Sequence, residues 1–428
     1  MAFFSLLCFG SCVILFYGDT IMKNIIIGQS GGPTAVINSS VLGVYLKAKE
    51  LGVDKVYGMV YGIEGFLSEN IIDLDDYLAD KDNQELLKRT PSAFLGSCRY
   101  KLPNVEDERD VYEKIFSIME KYELDGLFYI GGNDSMDTVK MLSDYAKENG
   151  KGQLFVGIPK TIDNDLPVTD HCPGYGSACK YIATSLKEII RDNSSFGVQK
   201  PTVCIVEIMG RHAGWLTASA SLCKGDDCCG VDAIYLPEVP IDLDEFMDRV
   251  KKLSHEKSSV VIAVSEGISL KDGTFVCELG NGEKKLDAFG HKQLSCCAVT
   301  LARLVADATG LKTRAIEFST LQRAAGHIAS LTDINEAILV GKEAVVAMSK
   351  GNTGVMVVMR RLAKNEYQIS TDIYDIHSIA NVEKMIPMEW IDSINHQMKD
   401  EYIQYAKPLI MGELMPIYKD GVVAHLVR

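Results

Sequence analysis

The sequence contains no C-x-x-C pair, no G-x-G-x-x-G run, no Walker A loop, no low-complexity linker and no internal repeat. Each absence excludes something. Without paired spacing, the twelve cysteines give no zinc signature. Cys228 and Cys229 are adjacent, as are Cys296 and Cys297, and adjacent cysteines seldom bridge to each other. All twelve are therefore read as reduced thiols of a cytoplasmic protein. The missing glycine fingerprint and missing Walker A loop leave dinucleotide and P-loop readings without support. Positive charge is also short: 44 Lys and Arg stand against 58 Asp and Glu, a net charge of −14. The acidic residues are scattered rather than blocked. That argues against nucleic acid and anionic membranes as general partners, while leaving room for a local basic pocket.

The apolar stretch from Met1 to Tyr17 lacks the basic start of a signal peptide and is short for a membrane span. Residues 1–21 are expected to be a dispensable extension, with Met22 as the functional start and 22–428 as the catalytic unit. With 428 residues, 47% of them hydrophobic, the chain can bury a large core. Apolar strand-like runs alternate with helical ones throughout. This predicts an α/β fold of two similar lobes, mostly parallel sheets flanked by helices, with the site in the cleft between them.

The chemistry-bearing residues stand just past such runs, where ligands bind in open α/β sheets. After the strand Leu154 to Ile158 comes Pro159-Lys160-Thr161-Ile162-Asp163-Asn164-Asp165. An extended chain here would point Thr161, Asp163 and Asp165 to one side, offering a hydroxyl, a base and a second carboxylate. The bland alternative is a polar loop that caps the next element. After the first strand, Asn24 to Gly28, come Gly31-Gly32 at a strand-to-helix turn. Such glycines let backbone N–H groups approach a phosphate, or serve only a tight turn.

Gly131-Gly132-Asn133-Asp134-Ser135 repeats that arrangement after Leu127 to Ile130. Its polar residues are either helix caps or ligands of a cation. Arg99, after a Gly-Ser turn, offers a fork of donors to a phosphoryl group or pairs with a surface carboxylate. Met209-Gly210-Arg211 follows the strand Val203 to Ile208 and is expected to open a helix. There Arg211 would be unfavourable unless an anion sits beside it. Ser265-Glu266-Gly267 follows Val260 to Val264, Arg314 lies in the strand Lys312 to Phe318, and Arg323 stands nine residues further on. His171 is read equally as a packed loop residue or a functional one. Phe275 to Leu286 suggests a hairpin excursion and His291 to Gly310 an amphipathic helix.

In this order the motifs resemble the phosphofructokinase family, best its long bacterial and protist branch, many of whose members use pyrophosphate. The resemblance runs from about Lys23 to Arg323. It implies that Asp163 is the base taking the C1 hydroxyl proton of fructose 6-phosphate, with Thr161 and Asp165 positioning that acceptor. It places Gly31 against the phosphoryl donor and has Arg99 bridge the donor and acceptor phosphates. Met209, Gly210, Arg211, Arg314 and Arg323 fall on the sugar phosphate, and Glu266 on a sugar hydroxyl. Arg314 would reach across from a neighbouring subunit, so a homo-oligomer, a dimer by preference, is expected. Relatives usually have His or Tyr where Thr320 stands, and short bacterial relatives often an Arg where Thr202 stands.

The donor is implied by two departures from the ATP-using pattern. ATP-using relatives typically have Gly-Gly-Asp-Gly-Ser, with Mg²⁺ ordered there. Here Asn133 replaces the first Asp, and Asp134 replaces the small Gly, where a carboxylate would crowd and repel bound ATP. Lys160 replaces a Gly and brings an ammonium to the place of pyrophosphate. The resemblance thus implies transfer from pyrophosphate to fructose 6-phosphate with Mg²⁺. The same reaction with ATP and a non-catalytic regulatory paralogue are the alternatives, and an intact Asp163 argues against the second. The tail beyond Ser370 contains Pro387 and Trp390 but no catalytic motif.

Overall fold

The computed structural model describes residues 22–195, 201–280, 296–363, 366–379 and 382–428. The expectations for residues 1–21, and most of those for 281–295, lie outside these.

Two sheets carry the molecule. The first holds β1 (Asn24–Gln29), β2 (Lys55–Met59), β3 (Ile71–Asp73), β4 (Leu124–Gly131) and β5 (Leu154–Pro159). The second holds β6 (Thr202–Ile208), β7 (Ala233–Tyr235), β8 (Ser259–Ser265) and β9 (Lys312–Glu317). The chain then returns to the first sheet with β10 (Val355–Arg361) and β11 (Ile369–Asp375). The strand orders are β11-β10-β5-β4-β1-β2-β3 and β7-β8-β6-β9. The second lobe is therefore inserted between β5 and β10 of the first. Its four strands pair in parallel throughout. The first sheet is parallel except at its two ends, where β3 and β11 pair antiparallel. The expected two-lobed α/β class is borne out, with seven strands in one layer and four in the other.

Central strands read as continuous apolar runs because helices cover both faces. Ile25, Ile26, Ile27, Phe128, Ile130, Val156 and Ile158 are fully buried in the first sheet. Val203, Ile205, Val260, Ile262 and Val264 are fully buried in the second. Helix Ile37–Glu50 packs against helix Leu331–Ser349 so closely that a Cβ on Gly43 would stand 2.2 Å from the Ile338 carbonyl oxygen.

Two local expectations are corrected. The helix after β4 spans Asn133–Glu148, with Gly132 at its cap and no side-chain cap bond, so neither Asn133 nor Asp134 caps it. No helix starts at Arg211. The short helix Trp215–Ala218 begins four residues later, and Glu238 accepts from its leading amide, Gly214 N, at 2.8 Å. Residues 276–279 form a 3-10 turn and Cys297–Thr309 a helix, while the rest of the expected hairpin and the expected helix start at His291 lie outside the described residues. Cys228, Cys229 and Cys297 carry free thiols. Among the described residues no helix is long and apolar enough to cross a membrane.

Candidate active site

The carboxyl ends of β1, β4 and β5 face those of β6 and β8. Lys160 follows β5 directly, and only 3% of its surface is exposed. Its backbone N–H continues the β4–β5 ladder by bonding Gly131 O at 3.1 Å. Its ammonium crosses to the loop after β1 and donates to Gly32 O at 2.7 Å. Gly31 holds a φ of +74°, and a Cβ there would stand 3.3 Å from the Lys160 ammonium. Glycine is needed here both for the left-handed backbone and for the close approach. Burial pulls the Lys160 ammonium down to about 8, against the opposing pull of Asp163 and Asp165.

The loop after Lys160 is not extended. Asn164 takes a left-handed φ of +55° and turns its amide inward, donating to Tyr405 Oη at 2.9 Å. That bend, not a strand's alternation, brings Thr161, Asp163 and Asp165 together. Thr161 Oγ1 accepts from Asp163 N at 3.0 Å. Burial, and next the neighbouring Asp165, raises the Asp163 carboxyl well above the ordinary carboxylate range. Lys160, Arg323 and Arg211 hold it down in part. Asp165 Oδ1 is buried without a bonding partner.

The Gly31–Gly32 loop is clasped from a second side. Ser97 Oγ donates to Gly31 O at 2.6 Å, and Gly31 N donates to Cys98 O at 3.2 Å. Arg99 is thereby carried to the rim, exposed, within electrostatic reach of Arg323. Asp134 is exposed on the first turn of its helix, and Asn133 Oδ1 is buried without a bonding partner. The Lys160 carbonyl runs past Gly132, 3.7 Å from where a Cβ would stand.

The second sheet supplies Met209, Gly210, Arg211 and Glu266. Glu266 Oε1 accepts from Gly210 N at 3.3 Å, and burial pushes its carboxyl up to about 7. A Cβ on Gly267 would lie 1.8 Å from Arg211 O, so glycine is what lets these two loops lie against each other. Arg211 Nε is buried without a partner, beside Asp163 and Glu266. Arg323 reaches furthest in. Its Nη1 would stand 3.0 Å from a Cβ on Gly32, and Asp163 and Glu266 both lie in its field. It therefore touches the Gly31–Gly32 loop as well as facing Asp163 and Glu266.

Arg314 and Thr320 do not join this cluster. Thr320 is exposed, its carbonyl accepting from Arg323 N at 3.2 Å. Arg314, on edge strand β9, pairs with Asp192 at 3.2 Å. It lines a surface groove of about 400 Å³ with Tyr181, Phe318 and Leu321.

Two supports were not legible in the sequence. His171 is buried between Asp170 (2.8 Å) and Glu336 (2.7 Å), with Tyr367 Oη donating to Glu336 at 2.6 Å. Burial alone would pull its imidazole down, but the two carboxylates outweigh that and push it up to about 9. The tail supplies Lys384 and Tyr405, whose partners are more than 200 residues away, and no local pattern signals such pairings. At the start of helix Tyr175–Ser194, Asp333 accepts from Gly174 N and Ser177 N at 2.9 and 2.8 Å.

Basic and acidic groups thus converge at opposed strand ends of two mostly parallel α/β sheets. Residues 24–348 match the phosphofructokinase family, and the chain belongs to it. It is 39% identical over 404 residues to the pyrophosphate–fructose 6-phosphate 1-phosphotransferase of Methylococcus capsulatus, covering 94% of both chains. To the protein of that name from Halomonas elongata it is 36% identical, covering 95% of this chain and 96% of the relative. The crystal structure of a pyrophosphate-dependent phosphofructokinase from Nitrosospira multiformis superposes with a TM-score of 0.84. It is 35% identical, with 94% of this chain and 96% of that one covered.

Proposed function

We propose that this chain transfers a phosphoryl group from pyrophosphate to the C1 hydroxyl of fructose 6-phosphate, giving fructose 1,6-bisphosphate and orthophosphate. The observation that carries the choice of donor is the buried Lys160 ammonium at the Gly31–Gly32 loop, with Asp134 on the adjoining helix turn. A compact ammonium suits a small, dense anion. In this reading the Asp134 carboxylate repels the inner phosphate of a nucleotide. The names of the relatives support the same donor and acceptor.

Asp163 is the base. A carboxyl raised by burial accepts the C1 proton more readily than an ordinary one as the oxygen attacks phosphorus. Thr161 and Asp165 fix its place. Lys160, Arg323, Arg99 and amides near Gly31 stabilise charge on the transferring group as the bond to the departing orthophosphate breaks. Met209, Gly210 and Arg211 hold the sugar phosphate together with Arg323, and Glu266 accepts from a sugar hydroxyl.

The family uses a divalent metal. Among the described residues no group of three or more His, Cys, Asp or Glu side chains converges on a cation position. The unpartnered Asn133 Oδ1 and the adjacent Asp134 carboxylate suit Mg²⁺, which takes one or two protein ligands and the rest from phosphate and water. Bound there, it would neutralise charge on the donor oxygens.

Arg314 faces outward at an edge strand, which supports its serving the site of a second copy in a dimer. Initial rates with pyrophosphate and with ATP, measured on the purified chain, test the proposal. Faster turnover with ATP, or none with either, would reject it.

A further inference from the structure

The segment Lys384–Ile386 lies between the two halves of the site and bonds to both. On the side of the first sheet, Lys384 N donates to Asp165 O at 2.7 Å. The same residue's ammonium donates to Asp170 O at 2.9 Å and Thr169 O at 3.2 Å. One residue thus clasps both ends of the segment Asp165–Asp170, which begins two residues after Asp163. On the side of the second sheet, Trp215 Nε1 donates to Lys384 O at 2.8 Å, and the ammonium lies 5.2 Å from the centre of the Trp215 ring. Ile386 N and Gly214 N share Glu238 Oε1, at 3.4 and 2.8 Å. Gly214 and Trp215 end the Met209–Gly214 loop that presents Arg211.

We infer that Lys384 is a positioning residue for phosphoryl transfer: it fixes the Asp163–Asp165 turn against the Met209–Gly214 loop and so sets the distance from base to acceptor. It touches no substrate. Three backbone carbonyls and an aromatic face position it, and Asp165, Asp170, Cys172 and Arg361 are the ionisable groups around it. The ammonium binds carbonyls that methylene groups cannot bind, so a lysine is required rather than a residue of the same bulk. Its backbone bonds alone hold only one end of the segment Asp165–Asp170. A base displaced by roughly 1 Å loses on the order of 10²-fold in rate while substrate grips elsewhere stay intact.

The inference rests on the reading of Asp163 as base, and the test separates the two. Lys384→Met and Trp215→Phe are made in the full chain, and kcat, KM for each substrate and direct binding of fructose 6-phosphate are measured. Lys384→Met should lower kcat about 10- to 100-fold with both KM values and binding within about threefold of wild type. Trp215→Phe keeps the ring but loses the bond to Lys384 O, and should show the same split more weakly. Should Lys384→Met fail to fold, Trp215→Phe carries the test alone. Wild-type kcat in the folded variants overturns the inference. So does a fall in kcat matched by equal losses in binding of both substrates, the mark of general loosening. Absence of turnover in wild type instead rejects the function proposed above and not the clasp.

Discussion

The Lys160 ammonium donates to the Gly32 carbonyl at 2.7 Å, joining the loop after β5 to the loop after β1. A buried cation already seated at the glycine turn is pre-positioned for an anion and loses little on binding it. Asp134 and Lys160 then act in opposite senses on donor choice. Asp134→Gly should raise the ATP-to-pyrophosphate rate ratio by removing the repelling carboxylate. Lys160→Gly should depress pyrophosphate turnover by about 10²-fold or more, the scale of losing one donor to a transition-state anion. Initial rates with each donor decide. An unmoved ratio in Asp134→Gly would refute its part.

Removal of the base should separate chemistry from binding. Asp163→Ala is expected to lose about 10²- to 10⁴-fold in kcat while fructose 6-phosphate still binds. Near-normal turnover in this variant would sink the assignment.

The pH profile of kcat/KM follows from two displaced groups. Asp163 must be ionised to accept a proton, and its carboxyl is raised, so the acid limb should lie above the ordinary carboxylate range. Lys160 must be charged to hold the donor, and its ammonium titrates at about 8, so the rate should fall again through that pH. A bell is expected, because kcat/KM reports the free enzyme. Lys160→Arg should erase the alkaline limb, since a guanidinium stays charged. An alkaline limb unmoved in that variant assigns it to another group.

His171 gives a stability prediction of defined sign. Its folded value of about 9 lies above the ordinary 6.5. Its contribution is therefore complete below about pH 6.5 and is lost as pH rises through about 9. His171→Asn leaves the buried Glu336 carboxylate without its cation, while Asp170 keeps Arg361 at 3.0 Å, and should cost roughly 3 kcal/mol at pH 6. Thermal midpoints at pH 6 and pH 9.5 check this. The wild type should lose more over that range than the variant, and equal losses would remove His171 as the cause.

Arg314→Ala subunits mixed with Arg211→Ala subunits test the shared site. If Arg314 serves a second copy, hybrid dimers carry one intact site and activity should partly return. No recovery despite measured subunit exchange would confine Arg314 to its pair with Asp192.

The sequence by itself determined the alternation of strands and helices and the set of chemical groups at strand ends. Apolar runs of fixed period and glycines at strand-to-helix turns are local signals, and Lys160, Asp163, Gly31 and Arg211 each sit on one. Only the tertiary structure decided how those groups meet. The Thr161–Asp165 side chains converge because Asn164 bends the chain toward Tyr405, not because the segment is extended. Arg323 comes against Gly32, and Lys384 against Asp165 and Asp170, across separations of hundreds of residues. His171 was undecided in sequence because its state depends on Glu336, 165 residues away, entering the same buried space. Charge, burial and partner distance are properties of the packed chain, and no local pattern encodes them.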